Sequence, residues 1–176
     1  FRFENLSIGG MLFVIGLAKK VLLADPIAGY ADAGFAQPGE LQFWSAWGTG
    51  LAYALQLYFD FSGYSDMALG LAKMFGIRFP LNFNSPYKAS SIIDFWARWH
   101  MTLTRYLTAY LYYPMAMMVS RFRSKHNLPV GIEGVSTLGG FFSTIVWPTA
   151  FTMGLAGIWH GAGLQYVIFG MLHAFY

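Results

Sequence analysis

From Gly134 to Tyr176 the chain carries no Asp, Glu, Lys or Arg. An uncharged run of that length would leave a large apolar area bare on a water-soluble domain. It is long enough for two helical membrane passes, each of which needs about 20 apolar residues. Its middle, "GIWHGAGLQ" at residues 157–165, supplies the point where two passes would divide. Pro148, Gly154 and Gly157 make the first pass kinkable rather than straight. The chain as a whole is 56% hydrophobic and 11% charged, against about 25% charged in soluble domains. Its 11 Tyr and 6 Trp suit rings that settle at membrane–water interfaces. The expected fold class is therefore all-α, a polytopic transmembrane helical bundle with re-entrant or amphipathic interfacial helices.

The chain starts at Phe1 rather than Met, and Leu164–Tyr176 is too short an apolar stretch to span. Residues 1–176 are accordingly expected to be part of one longer membrane domain, with further helices at both ends. There is no Cys, which excludes disulfides, thiolate metal sites and Cys nucleophiles. The net charge of +3 is scattered. Its one concentration, "SRFRSKHN" with Arg121, Arg123 and Lys125, is expected to be a loop, either on the cytoplasmic side by the positive-inside tendency or simply solvated. Nothing supports nucleic-acid binding.

Along the chain, Ile8–Ala18 is too short for a straight span and is interrupted by Lys19-Lys20. Either the lysines snorkel to an interface, or they face a polar cavity inside a bundle. "DPIAGYADAGFAQPGE" is expected to be an extramembrane loop. Leu41–Phe59 predicts a transmembrane helix that ends in "DFSGYSD". The apolar stretch after it holds Ala68, Gly70, Ala72 and Gly76, small enough for close helix packing. "RFPLNFNSPYK" then breaks the helix.

Ser91 to about Tyr113 predicts one helix, opened by a capping box of Ser91 and Asp94 and closed by Pro114. Ile92, Phe95, Trp96, Trp99, Leu103, Leu107 and Tyr110 share one face, and Asp94, Arg98, Thr102 and Arg105 the opposite one. A charged stripe of this kind belongs at an interface or along something polar.

Ionisable groups within membrane segments are functional by default. His160 stands between Trp159 and the small residues Gly161, Ala162 and Gly163, which leave room for a substrate or a neighbouring backbone. A desolvated imidazole stays neutral and works as a general base; the plainer alternative is a buried histidine with one structural hydrogen bond. His100, at the edge of its helix's apolar face, fits a packed histidine and a functional one equally well. His173 is read as structural and His126 as solvated. Asp60 and Asp66 suit a ligand or metal, or simple turn and cap chemistry. Asp94 is accounted for as a cap and a partner for Arg98. No two histidines fall within one helical turn, and there is no HExxH, GxSxG or phosphate loop. What remains is two widely spaced histidines able to deprotonate a hydroxyl away from bulk water.

Four stretches go further. "GLAKKVLLAD", "LQLYFDFSGYSDMALGLAKMFGIRFPLNFNSPY", "DFWARWHMTLTRYL" and "GLAGIWHGAGLQYVIFGMLH" resemble successive signatures of the membrane-bound O-acyltransferase family, in its bacterial alginate O-acetyltransferase-like branch. They cover most of the chain from about Leu12 on. The resemblance implies a polytopic fold, of which this chain is a part, cradling a site between a cytosolic and an external opening. It implies transfer of an acyl group, usually acetyl, from a cytosolic thioester to a hydroxyl acceptor on a cell-surface polysaccharide or a carrier partner. The thioester, acetyl-CoA or another, is a co-substrate; no bound cofactor and no metal are implied. A periplasmic or extracellular acyltransferase partner protein is implied as well, with the chain set in the lipid of the bacterial inner (cytoplasmic) membrane.

By the same resemblance the WHG motif assigns a catalytic role to His160 and the RWH motif one to His100. Asp60, Ser62, Asn82, Asn84, Asp94, Trp99 and Trp159 fall in the surrounding motifs and would shape the substrate-binding cavity. His160 would act as general base, while His100 orients the donor or, if it presents an N–H, stabilises the oxyanion. One departure stands out. "AYLYYPMAMMVSRF" has Ala109 where an acid is usual and lacks a Gly pair, so the alginate label does not transfer. The competing class is a non-catalytic polytopic scaffold or transporter with proton-relay histidines.

Overall fold

Pro26, Pro114 and Pro148 all stand inside continuous helix, each two places after a π-helical turn. The computed structural model describes residues 2–175, which contain helices and connecting turns but no strand. The π turns cover Lys19–Ala24, Thr108–Tyr112 and Phe142–Val146. In each, the residue just before the proline donates its N–H to the carbonyl five places back: Asp25 to Lys20, Tyr113 to Thr108, Trp147 to Phe142. A proline lacks the N–H for the usual bond and presses its ring on the carbonyl four places back. The widened turn takes up that misfit, so the helix bends instead of ending.

The described residues form two bodies, one ending at Thr102 and one beginning at Leu103. In the first, α1 (Phe3–Ala18), its π turn and α2 (Asp25–Ala36) make one helical stretch, Phe3–Ala36. The expected loop at "DPIAGYADAGFAQPGE" is therefore mostly helix, because the π turn accommodates Pro26. This stretch packs antiparallel on α3 (Phe43–Met74), a single 32-residue helix. Gly9 meets Gly70 and Gly16 meets Gly63, so closely that a Cβ on Gly9 or Gly16 would lie 2.5 Å from the facing carbonyl oxygen. "DFSGYSD" thus lies within α3, not at its end. Its carboxylates face the lysines: Lys19 Nζ is 2.6 Å from Asp66, and Lys20 Nζ is 2.5 Å from Asp60 and 2.7 Å from Asp25. The lysines answer these acids within the helix packing.

After α3, Gly76 (φ +76°) turns the chain into an extended segment that leads to Pro86. The helix expected from Ser91 to Tyr113 is divided. Ser91 does cap it, accepting from the Asp94 N–H at 3.1 Å, but α4 (Ile92–Arg98) ends one residue short of Trp99. His100, with φ +46°, separates it from α5 (Met101–Leu107).

In the second body, helix runs through Pro114 along α6 (Tyr113–Lys125), so most of "SRFRSKHN" is helical. Arg123 is buried and donates to the Pro129 carbonyl and to Ser143 Oγ, both at 2.9 Å. After the short α7 (Gly131–Val135), α8 (Leu138–Phe141), a π turn and α9 (Trp147–His160) form a 23-residue stretch. Gly161–Gly163 breaks it from α10 (Leu164–Phe175), the division expected at "WHGAG".

Phe3–Ala36 and Leu138–His160, whose most apolar 18-residue segments have mean hydropathies of 1.8 and 1.4, are long and apolar enough to cross a membrane. Among the described residues no other helix meets both conditions; the expected span Leu41–Phe59 is helical from Phe43 on, as the first part of α3, where its Trp, Tyr, Gly and Gln residues lower the hydropathy. The 34 residues of the first stretch would reach roughly 50 Å at 1.5 Å per residue, beyond a hydrocarbon core of about 30 Å.

Candidate active site

The left-handed turn at His100 is held by its neighbours. Met101 N–H donates to the Asn82 carbonyl at 2.9 Å, and Asn84 N–H to the Arg98 carbonyl at 3.0 Å. These bonds tie residues 98–101 to the segment that follows α3 and offset the roughly 1–2 kcal/mol of placing a non-glycine residue there. His100 Nδ1 lies 2.8 Å from Asn82 Oδ1, which also receives Thr102 Oγ1 at 2.7 Å. Asn82 Nδ2 donates to Ser65 Oγ at 3.1 Å. The imidazole meets Phe61 edge to face at 4.7 Å and lies nearly parallel to Phe83 at 6.4 Å. Trp99 stacks on Phe95 at 5.7 Å and meets Phe83 edge-on at 5.1 Å. An amide oxygen can only accept, so His100 Nδ1 carries the proton, and the neutral ring keeps its lone pair on Nε2.

His160 is the last residue of α9. Its Nδ1 lies 2.6 Å from the Ala156 carbonyl oxygen, so here too Nδ1 donates and a neutral ring is basic at Nε2. Trp159 and Phe169 meet the ring edge-on at 5.0 and 5.5 Å. His160 is exposed in this chain rather than buried. The glycines around it admit backbone and a ring: Gly157 approaches the Tyr166 carbonyl and Gly170 of α10, while the Tyr166 ring occupies the space a side chain at Gly161 would need.

The other expected site residues divide. Trp99 belongs to the aromatic group around His100, and Trp159 touches His160 but is 67% exposed. Asp60 is engaged by Lys20. Ser62 is fully buried, and its Oγ has no hydrogen-bond partner among the described residues. Asn84 is exposed and contributes its backbone N–H. Asp94 accepts from Arg98 Nε at 2.7 Å and from Ser90 N–H at 3.2 Å; the Arg98 bond first, then the Ser90 bond, holds its carboxyl below the usual range. Sequence reasoning placed Thr102 opposite the apolar face and gave Ser65 no role. In an unbroken helix, positions 100 and 102 point about 160° apart; only the turn at His100 brings both onto Asn82.

Comparison with known proteins places the chain in a family. The family model for MBOAT, the membrane-bound O-acyltransferase family, matches residues 2–128, which include His100. The chain is 46% identical over 172 residues to "Peptidoglycan O-acetyltransferase" of Helicobacter pylori, covering 98% of this chain and 29% of that protein. It is 42% identical over 171 residues to "Probable alginate O-acetylase AlgI" of Pseudomonas aeruginosa, covering 97% of this chain and 29% of that protein. "Teichoic acid D-alanyltransferase" of Bacillus subtilis is 34% identical over 122 residues, 69% of this chain and 28% of that protein. The chain thus spans less than a third of the length of these relatives. The 98% coverage carries the likeness through the segment with His160. With a family match over more than half its length, this chain belongs to the membrane-bound O-acyltransferase family.

Proposed function

We propose that the protein to which this chain belongs is a cell-envelope O-acyltransferase of the bacterial inner membrane. It would move an acyl group, acetyl by likeness to the Helicobacter and Pseudomonas relatives, from a cytosolic thioester such as acetyl-CoA to a hydroxyl. The acceptor hydroxyl lies on a surface polysaccharide or on a carrier residue of a partner protein outside the membrane. The helices form a polytopic bundle in this reading, with the basic end of α6, where Arg121 and Lys125 are exposed, on the cytoplasmic side.

The observation that carries this reading is the shared tautomer. His100 and His160 each commit Nδ1–H to an oxygen of the protein, and each therefore offers Nε2 as an acceptor. His160 Nε2 takes the proton of the acceptor hydroxyl as its oxygen attacks the thioester carbonyl. The tetrahedral intermediate collapses, the C–S bond breaks, and the imidazolium returns the proton to the departing thiolate. The products are an O-acyl ester and a free thiol. A neutral His100 of this tautomer has no second N–H for an oxyanion, so its role is to accept a hydrogen bond that orients a substrate.

Membranes containing the full-length protein, given labelled acetyl-CoA, should place label on polysaccharide or on a co-expressed envelope partner. His160→Ala should abolish labelling while the protein remains inserted and folded. Normal transfer by that variant would remove His160 from the mechanism. Solute movement without covalent label would favour a proton-relay transporter instead.

A further inference from the structure

We infer that Asn82 is a positioning residue for the acyl transfer: its amide oxygen fixes His100 in the Nδ1–H tautomer and so makes Nε2 the basic nitrogen. The inference rests on the reading of His100 as part of the acyltransferase site.

The hydrogen bonds that join Thr102, Asn82 and Ser65 have determined directions. Thr102 N–H, which can only donate, points at Asn82 Oδ1 at 3.4 Å, and the Thr102 hydroxyl lies 2.7 Å from the same atom. That atom is therefore the oxygen, and the amide nitrogen is the one facing Ser65 Oγ at 3.1 Å. Ser65 in turn gives its proton to the Phe61 carbonyl of α3 at 2.9 Å, which leaves a hydroxyl lone pair for the Asn82 N–H. The relay runs from a helix carbonyl through Ser65 and Asn82 to the imidazole, and no member can reverse without losing a bond. Ser65 is buried and Asn82 and Thr102 are half-buried, so an unmade bond here would be costly.

The same cluster fixes where the ring sits. Asn82 bonds His100 with its side chain at 2.8 Å and Met101 with its carbonyl at 2.9 Å, gripping the strained turn from both sides. Phe61 and Phe83 confine the ring plane. Asn82 is thus to His100 what a carboxylate is to the histidine of a hydrolytic triad, but without charge. A neutral partner selects the tautomer without favouring the imidazolium.

The test uses the full-length protein in membranes, with kcat and KM measured for transfer from labelled acetyl-CoA. Asn82→Leu removes the acceptor and should lower kcat about 10²-fold with KM near its original value. Asn82→Asp keeps an acceptor at the same place and should stay within about tenfold of the parent. If Asn82 acts through His100, Asn82→Leu combined with His100→Ala should be no worse than His100→Ala alone. A folded Asn82→Leu protein with full kcat, or losses that multiply in the double variant, would overturn the inference while leaving His100 in the site. Should Asn82→Leu fail to fold, a folded but inactive Asn82→Asp protein overturns it equally. Full transfer by His100→Ala alone is a separate result: it would remove His100 from the site and the inference with it.

Discussion

Lys19 Nζ lies 2.6 Å from Asp66 Oδ2, joining α3 to the first π turn. Each side chain keeps about a quarter of its exposure (28% and 24%), so the pair is only partly screened by solvent. Removing one partner strands a charge beside an apolar helix interface, whereas removing both does not. Lys19→Met alone, and Asp66→Leu alone, are each expected to lower stability by about 1–3 kcal/mol. The double variant should lose clearly less than the sum. Thermal unfolding of the four proteins in one detergent measures the coupling, and strictly additive losses would show that the two charges do not support each other.

Gly157 is a point of close backbone approach between α9 and α10. A Cβ there would stand 3.1 Å from Gly170 Cα and press harder still on the Tyr166 carbonyl oxygen. Backbone cannot rotate away as a long side chain can, so the helices must separate. Gly157→Ala is expected to cost about 1–3 kcal/mol and to displace His160, which lies three residues on along the same helix. Gly154→Ala is the control, since its Cβ would meet only Met171 Sδ at an ordinary 3.8 Å. The expected outcome is reduced transfer and a lowered Tm for Gly157→Ala, with both close to the parent for Gly154→Ala. Equal behaviour of the two variants would count against the contact.

These relationships explain what the sequence discloses and what it withholds. The Ser91 cap and the break at Gly161–Gly163 are local: a hydroxyl three residues before an acid, and a cluster of residues with poor helix propensity. The prolines mislead because sequence records the missing N–H at Pro26 and Pro114 but not the widened turn that absorbs it. "DFSGYSD" resembles a turn because four polar residues surround a glycine. In the fold Gly63 meets Gly16, Asp60 and Asp66 meet the lysines, and Ser65 meets Asn82, all contacts distant in sequence. The apolar settings of His100 and His160 single them out in the sequence as candidate positions. The turn at His100 is not, because it depends on bonds to residues 82–84.

Arg123 gives a contrast within one basic stretch. It is buried, at 6% exposure, with Nε on the Pro129 carbonyl and a second nitrogen on Ser143 Oγ, whereas Arg121 and Lys125 are exposed. Arg123→Gln removes the buried guanidinium that bonds both the Pro129 carbonyl and Ser143 Oγ and is expected to lower stability by about 1–3 kcal/mol. Arg121→Gln should stay within about 0.5 kcal/mol of the parent. Detergent unfolding curves for the two variants distinguish a structural arginine from a solvated one; matched curves would deny Arg123 that role.

Asp94 supplies the pH-dependent element. Its carboxyl is held below the usual range by Arg98 first and by the Ser90 N–H second. A carboxylate whose folded-state value is lowered contributes stability that is fully present above its unfolded value, near 3.9. That contribution disappears as pH falls through the lower, folded value. Acidification should therefore loosen the start of α4 while leaving it unchanged across the neutral range. Hydrogen exchange at the amides of residues 94–98 should accelerate in the parent below about pH 4, beyond the intrinsic pH effect on exchange. In Asp94→Asn, which keeps an acceptor but no titrating charge, the same amides should show weaker protection at neutral pH and no added acid-dependent loss. Identical acid profiles for the two proteins would show that the Asp94–Arg98 pair does not hold this turn.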